Sequence, residues 1–221
     1  MILKLLDLFA PDHCIFCGKT GICLCDKCKN SINTEKYYHC LICDQNIEFN
    51  QNCACGNQKL PLLADRKTSQ LKTIIQAYKF DLNRVLADDI SALIYDNLQQ
   101  ILTDLNSDKI ILIPLPTAYN HVRQRGFDHS KLLAKKLAKK ANLRWQMVLD
   151  RSHNLRQVGQ KSAQRHVQAQ SAYRLNAKID PDTIYLLLDD VVTTGASMRA
   201  AASLLKQAGA EKIIGMALIR N

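Results

Sequence analysis

Between Tyr185 and Met198 the chain reads YLLLDDVVTTGASM, an order of textures that few folds accommodate. A run of large apolar residues needs a fully buried strand. Two adjacent carboxylates, Asp189 and Asp190, end that run, and after two valines come residues small enough for backbone to approach a ligand closely. A helical pattern then begins with ASMRAAASLLKQAG and stops near Gly209, where a glycine commonly follows a helix end. Strand, acids, small loop and helix in succession describe the carboxyl end of a strand in an open α/β sheet, which is where such sheets bind ligands.

The rest of the second half repeats that alternation. KIILIPLP and EKIIGMALIR read as further buried strands, and SQLKTIIQAYKF, NRVLADDISALIYDNLQQILTDL and HSKLLAKKLAKKA as amphipathic helices. PLLADRK, with its proline and three charges, reads as a connector. The expected fold is α/β, a largely parallel sheet flanked by helices, over residues 59–221.

The loop has a chemical reading of its own. Thr193, Thr194, Gly195, Ala196 and Ser197 bring backbone N–H groups to the positive end of the following helix, a setting for phosphate. Asp189 and Asp190 would repel that phosphate, so they must serve another part of the same ligand, and vicinal ribose hydroxyls are the natural donors. The pattern describes a ribose 5-phosphate site.

Residues 1–58 are a different material. All nine cysteines lie there, as Cys14-x2-Cys17, Cys23, Cys25-x2-Cys28, Cys40-x2-Cys43 and Cys53-x-Cys55. Thiolate pairs two residues apart can both reach one tetrahedral Zn²⁺. Cys14, Cys17, Cys25 and Cys28 make one ligand set and Cys40, Cys43, Cys53 and Cys55 a second, with Cys23 left over; a single-zinc arrangement is the alternative. A shell of four thiolates leaves no open position, so the expected role is structural, and metal would supply folding energy that so few apolar residues cannot. The opening MILKLLDLFAPDHC reads as a short amphipathic helix rather than a signal peptide. With no apolar run long enough to span a bilayer, the expectation is a cytoplasmic protein.

Two stretches carry a family resemblance. YLLLDDVVTTGASM resembles the phosphoribosyl pyrophosphate (PRPP) loop of type I phosphoribosyltransferases. PLPTAYNHVRQRGFDHS, taken with that loop and the cysteine-rich front, is similar to the ComF family of competence proteins, the resemblance running over essentially the whole chain. It implies a zinc-ribbon module followed by a phosphoribosyltransferase-like domain, and a role in taking up transforming DNA beside a ComFA-like DNA-translocating ATPase. It also implies PRPP or a ribonucleotide as ligand, Mg²⁺ accompanying the pyrophosphate, Asp189 and Asp190 as the catalytic pair if chemistry occurs, and Arg123 and Arg125 in the loop near the pyrophosphate. Arg151, Arg156 and Arg165 would lie on a hood over the site. The chain departs from the family pattern at Asp128-His129, where Asn-Gln is usual, and at Gln160 and Gln168.

The formal charge of +10 favours polyanionic partners. Residues 119–165 hold 12 Lys or Arg against two acids. In SKLLAKKLAKKA the leucines take one face, leaving Lys135, Lys136, Lys139 and Lys140 as the candidate contacts for single-stranded DNA, with a merely solvated face as the plain alternative. Two functions of different kinds follow: handling of single-stranded DNA during uptake on a phosphoribosyltransferase scaffold, or active transfer of ribose 5-phosphate from PRPP to a nucleobase or other nucleophile.

Overall fold

The computed structural model describes residues 13–34, 36–43, 45–47, 53–56, 60–80, 84–151 and 172–220. Residues 1–12, nearly all of the opening amphipathic segment, lie outside these, as do Arg156, Gln160, Arg165 and Gln168.

The described elements run α1 (Asp26–Asn30), β1 (Lys36–Cys40), β2 (Pro61–Arg66), α2 (Ser69–Phe80), α3 (Leu86–Asp104), β3 (Ile110–Pro114), α4 (Tyr119–Arg125) and α5 (His129–Ala141). After them come β4 (Arg144–Trp145), β5 (Leu149–Arg151), β6 (Tyr173–Leu175), β7 (Ile184–Leu188), β8 (Val191–Val192), α6 (Ala196–Gln207) and β9 (Lys212–Arg220). One mixed sheet has the order β1-β2-β9-β7-β3-β4, with β8 continuing along β9 beyond β7. Only β1 runs antiparallel. The fold is therefore α/β with a mainly parallel sheet and flanking helices.

β7 shows why the apolar run had to be continuous. Side chains alternate across a strand, so Ile184, Leu186 and Leu188 face one core with α2, α3 and α5, while Tyr185 and Leu187 face another with α6. Both faces are covered and all five residues are buried. Truncating Leu186, which has no exposed surface, would cost about 2–5 kcal/mol.

Residues Pro61–Arg66 correct the connector reading. They form β2, parallel to β9, with the first five residues buried. Asp65 disguised the strand: it is wholly buried and accepts from Asn97 Nδ2 of α3 at 2.8 Å. A buried carboxyl that takes its hydrogen bond from a side chain 32 residues away leaves no local trace.

The cysteine-bearing segment adjoins this domain intimately. β1 pairs with β2 through five residue pairs, and Cys23, Leu24 and Ile32 join the core beneath α2 and α3. Lys29 Nζ meets Asp89 Oδ1 at 3.0 Å, and the Gln70 amide both donates to Ser31 O and accepts from Asn33 N at 3.2 Å.

Candidate functional site

From β3 the chain leaves toward β4 on one side, and from β7 it leaves toward β9 on the other. Adjacent parallel strands departing in opposite directions open a crevice at their carboxyl ends. A pocket of about 200 Å³ lies there, its walls including Thr117 from the loop after β3, Asp189, Asp190 and Ser197 from the β7–α6 stretch, and Lys79, Arg125 and His129 from helices.

The acids stand at a break in the ladder. β9 pairs with β7 as far as Met216 and with β8 from Ile219. Between those pairings Asp189 N donates to Met216 O, while Asp190 O accepts from Leu218 N and Ile219 N. This anchored kink presents both carboxyl groups at the crevice rather than within the sheet.

Their environments differ sharply. Asp190 is 1% exposed and pairs with Lys79 Nζ at 2.8 Å. Burial works against its charge, but Lys79 and then His129 outweigh burial and hold its carboxyl below the usual range. Asp189 is half-buried and accepts from Asp190 N at 2.9 Å. Burial, followed by the charge of Asp190, raises its carboxyl well above the usual range. Two neighbouring acids pushed apart in this way supply a strong acceptor and a group able to retain a proton.

His129 connects the acid to a second cation. Arg125 Nη1 lies 2.9 Å from His129 Nδ1, and His129 Nε2 lies 3.5 Å from Asp190 Oδ2. A guanidinium only donates, so Nδ1 must be the acceptor and Nε2 carries the hydrogen toward Asp190. Burial, with Lys79 and Arg125 adding to it, pushes His129 down to about 4, in keeping with that neutral tautomer. Tyr78 secures the backbone here, its hydroxyl donating to His129 O at 2.7 Å. With two cations against one firmly ionised acid, the pocket floor favours an anion.

Asp128 and His129 thus stand beside the site. Asp128 Oδ1 caps α5 by accepting from Lys131 N at 3.1 Å and takes a second bond from Thr117 Oγ1 at 2.9 Å. Arg123 and Arg125, expected in a loop, belong to the short helix α4, which ends at Gly126 with φ +70°. Arg125 is buried at the pocket, whereas Arg123 lines an adjoining groove of about 740 Å³ with Tyr119, Met147, Arg151 and Arg174. The groove and the pocket share Pro116, Thr117, Ala118 and Arg151.

In the loop, Gly195 has φ +71° and precedes α6. Ser197 faces the pocket, while Thr193, Thr194 and Ala196 stand exposed beside it. Sequence reasoning missed Lys79 and Tyr78, and marked His129 only as a departure from the resembled pattern. For Lys79 the signal was its place four positions after Ile75, which puts a lysine at the edge of the apolar face of α2.

The cysteines gather into two sets, Cys14, Cys17, Cys25 and Cys28, and Cys40, Cys43, Cys53 and Cys55, with the sulfur atoms of each set within 4.8 Å of one another. Tetrahedral Zn²⁺ with bonds of about 2.3 Å spaces its sulfurs by roughly 3.8 Å. Cys14 and Cys17 lie 3.7 and 3.6 Å from Cys25, and in the second set the sulfurs sit closer, Cys40–Cys55 at 3.4 Å, Cys55–Cys53 at 3.2 Å and Cys43–Cys53 at 3.1 Å, so each set could hold one such ion, the second after a slight spreading. Burial opposes charge on Cys14 and Cys40, but backbone N–H donors prevail and bring both thiols down to about 6, favouring the thiolate that binds metal. Cys23 is buried in the core beneath α2, apart from both sets.

Of the four candidate DNA-contacting lysines, two are turned onto α3. Lys136 Nζ pairs with Asp88 Oδ2 at 2.8 Å, and Lys140 Nζ lies 5.5 Å from the centre of the Tyr95 ring. Lys135 and Lys139 stand exposed. Among the described residues, no helix is long and apolar enough to cross a membrane.

Residues 128–221, somewhat under half of the chain, match the family model of the phosphoribosyl transferase domain. The match begins at the cap of α5 and takes in the acids, the small loop and β9. Among solved structures, a hypoxanthine phosphoribosyltransferase from Staphylococcus aureus is similar at 13% identity and a TM-score of 0.39, over 61% of this chain and 65% of that one. The matched part thus spans less than two thirds of that enzyme. An adenine phosphoribosyltransferase from Saccharomyces cerevisiae, complexed with an imino-altritol bisphosphate and adenine, is similar at 14% identity and a TM-score of 0.42, over 85% of this chain and 83% of that one. No curated protein matches the chain.

Proposed function

We propose that this chain is a ComF-type competence protein, a cytoplasmic component that handles single-stranded DNA beside a ComFA-like translocating ATPase and binds a PRPP-type ligand at its phosphoribosyl loop. The observation that carries the reading is the combination in one folded chain: two four-cysteine sets joined through β1 and the shared core to a domain of phosphoribosyl transferase type. In this reading zinc is structural and each cysteine set holds one ion.

The ligand's phosphate would lie at Thr193–Ser197 and its ribose hydroxyls at Asp189 and Asp190. Asp190 accepts from a hydroxyl, and Asp189, favouring its protonated form, can both donate and accept. Arg125 and Arg123 would face the pyrophosphate. Mg²⁺, when bound with the ligand, would offset pyrophosphate charge. PRPP at 100 times its dissociation constant should stabilise the fold by about 2.7 kcal/mol. Asp190→Asn and Thr194→Ala should each lose that gain; an unchanged melting temperature of the wild type on adding PRPP and Mg²⁺ would refute the ligand assignment.

The adjoining groove favours a second reading, active phosphoribosyl transfer, because it offers space for an acceptor next to the ligand pocket. Pyrophosphate release that requires one particular base and disappears in Asp190→Asn would establish it.

A further inference from the structure

Arg199 stands in the first turn of α6, a poor place for a cation, since the helix dipole presents positive charge there. Its side chain is committed to backbone oxygens. Nη1 donates to Thr194 O at 2.8 Å, within the small loop, and to Leu41 O at 3.1 Å, 158 residues away. Leu41 lies between Cys40 and Cys43 of the second cysteine set, and its own N–H donates to Leu60 O at 3.0 Å.

The same two segments also touch through side chain and glycine. A Cβ placed on Gly195 would come 2.8 Å from Leu41 Cδ2 and 3.2 Å from Arg199 Nη1. A larger residue there would push the Leu41 side chain aside, so the loop and the cysteine turn are in direct packing contact as well as joined by the guanidinium.

We infer that Arg199 is a positioning residue that fastens the 193–197 loop to the turn Cys40–Cys43, so that metal binding by the second cysteine set governs the order of the loop. A metal held by Cys40 and Cys43 fixes Leu41 O, and through Arg199 it fixes Thr194 O. The consequence for phosphate rests on the ligand reading above; the coupling itself does not. Linkage makes the coupling reciprocal, so loosening the loop must also loosen the metal.

The test is hydrogen exchange on the full-length, zinc-loaded protein without ligand, together with zinc content and the equilibrium extent of zinc release to a competing chelator. Arg199→Ala should keep the wild-type zinc content and wild-type exchange in β7 and β9, while amides 193–198 exchange about tenfold faster for the loss of two hydrogen bonds. One of the two zinc ions should be bound correspondingly more weakly, a change that a bond serving only to hold α6 in place would not produce. Arg199→Lys should recover part of both effects. Cys43→Ser, with about one ion fewer, should speed the same amides, and combining it with Arg199→Ala should add nothing. Unchanged loop exchange or unchanged zinc release in Arg199→Ala, multiplying effects in the double variant, or a wild-type protein isolated without metal would each overturn the inference. A PRPP titration of the wild type separates the two readings: no binding, with loop exchange still responding to Arg199→Ala, refutes the ligand assignment and leaves the coupling in place.

Discussion

Replacing Lys79 by methionine keeps the length of the side chain and removes its charge. Asp190, 2% exposed at its side chain, would lose a cation at 2.8 Å and keep neutral His129 at 3.5 Å and its hydrogen bond with the Asp189 carboxyl. Removing one partner of a buried pair costs about 3–5 kcal/mol, because the remaining charge has lost its compensation. For a protein of this size that corresponds to a fall in Tm of roughly 6–20 °C. The sign with pH is distinctive. In the wild type Asp190 titrates below its unfolded value, so its contribution is present above about pH 4 and is lost as pH falls through the folded value. In Lys79→Met the same carboxyl titrates above its unfolded value. Acidification then protonates it and closes the gap to wild type by about 1.4 kcal/mol per pH unit below the new value. Urea denaturation of both proteins from pH 7 to pH 5 measures this, and Lys79→Met/Asp190→Asn should recover most of the loss at pH 7. A loss under about 1 kcal/mol, the magnitude of a surface pair, or a gap independent of pH would refute the argument.

Elemental analysis should find two zinc ions per chain, and Cys23→Ala should retain both; one ion would favour the single-site arrangement. The His129 imidazole should stay neutral through pH 6 and titrate near 4 by nitrogen NMR. Its depressed value means that the unfolded chain takes the proton first, so this group weakens the fold as pH drops from 6.5 toward 4. Asp189, with its raised value, acts in the opposite sense, and the ring must therefore be followed directly. For single-stranded DNA, Lys135→Ala and Lys139→Ala should each flatten the log–log salt dependence by about 0.7 if each lysine neutralises one phosphate. Lys136→Ala should change it less, because that lysine is already held by Asp88; an unchanged slope in Lys135→Ala/Lys139→Ala would remove α5 as the contact surface.

Much of the fold was legible wherever one rule governed a whole segment. The helical spacing in SQLKTIIQAYKF and HSKLLAKKLAKKA matches α2 and α5 from end to end, since a buried stripe at a 3.6-residue period has no competing explanation. The continuous apolar run before Asp189 marked β7 for a similar reason. β2 escaped because the hydrogen-bond donor to buried Asp65 comes from α3, and tertiary contacts have no local pattern. The candidate site divided along the same line. Its loop was visible because acids, small residues and helix follow one another in sequence, whereas Lys79, Arg125 and His129 converge on Asp190 from three separate helices. Nor could spacing reveal that Lys136 and Lys140 turn toward Asp88 and Tyr95; that depends on which helix packs alongside.

β1 caps the flank of β2 with an antiparallel ladder of five pairs. Without that ladder, a strand whose first five residues are buried would present a bare row of backbone donors and acceptors, a template on which other copies could add. Both β1 and the turn that follows it contain cysteines of the second set, Cys40 and Cys43. Weakening the second metal site would therefore loosen the cover over this edge, and a fragment cut to begin at residue 59 would emerge as aggregate rather than as a smaller working domain.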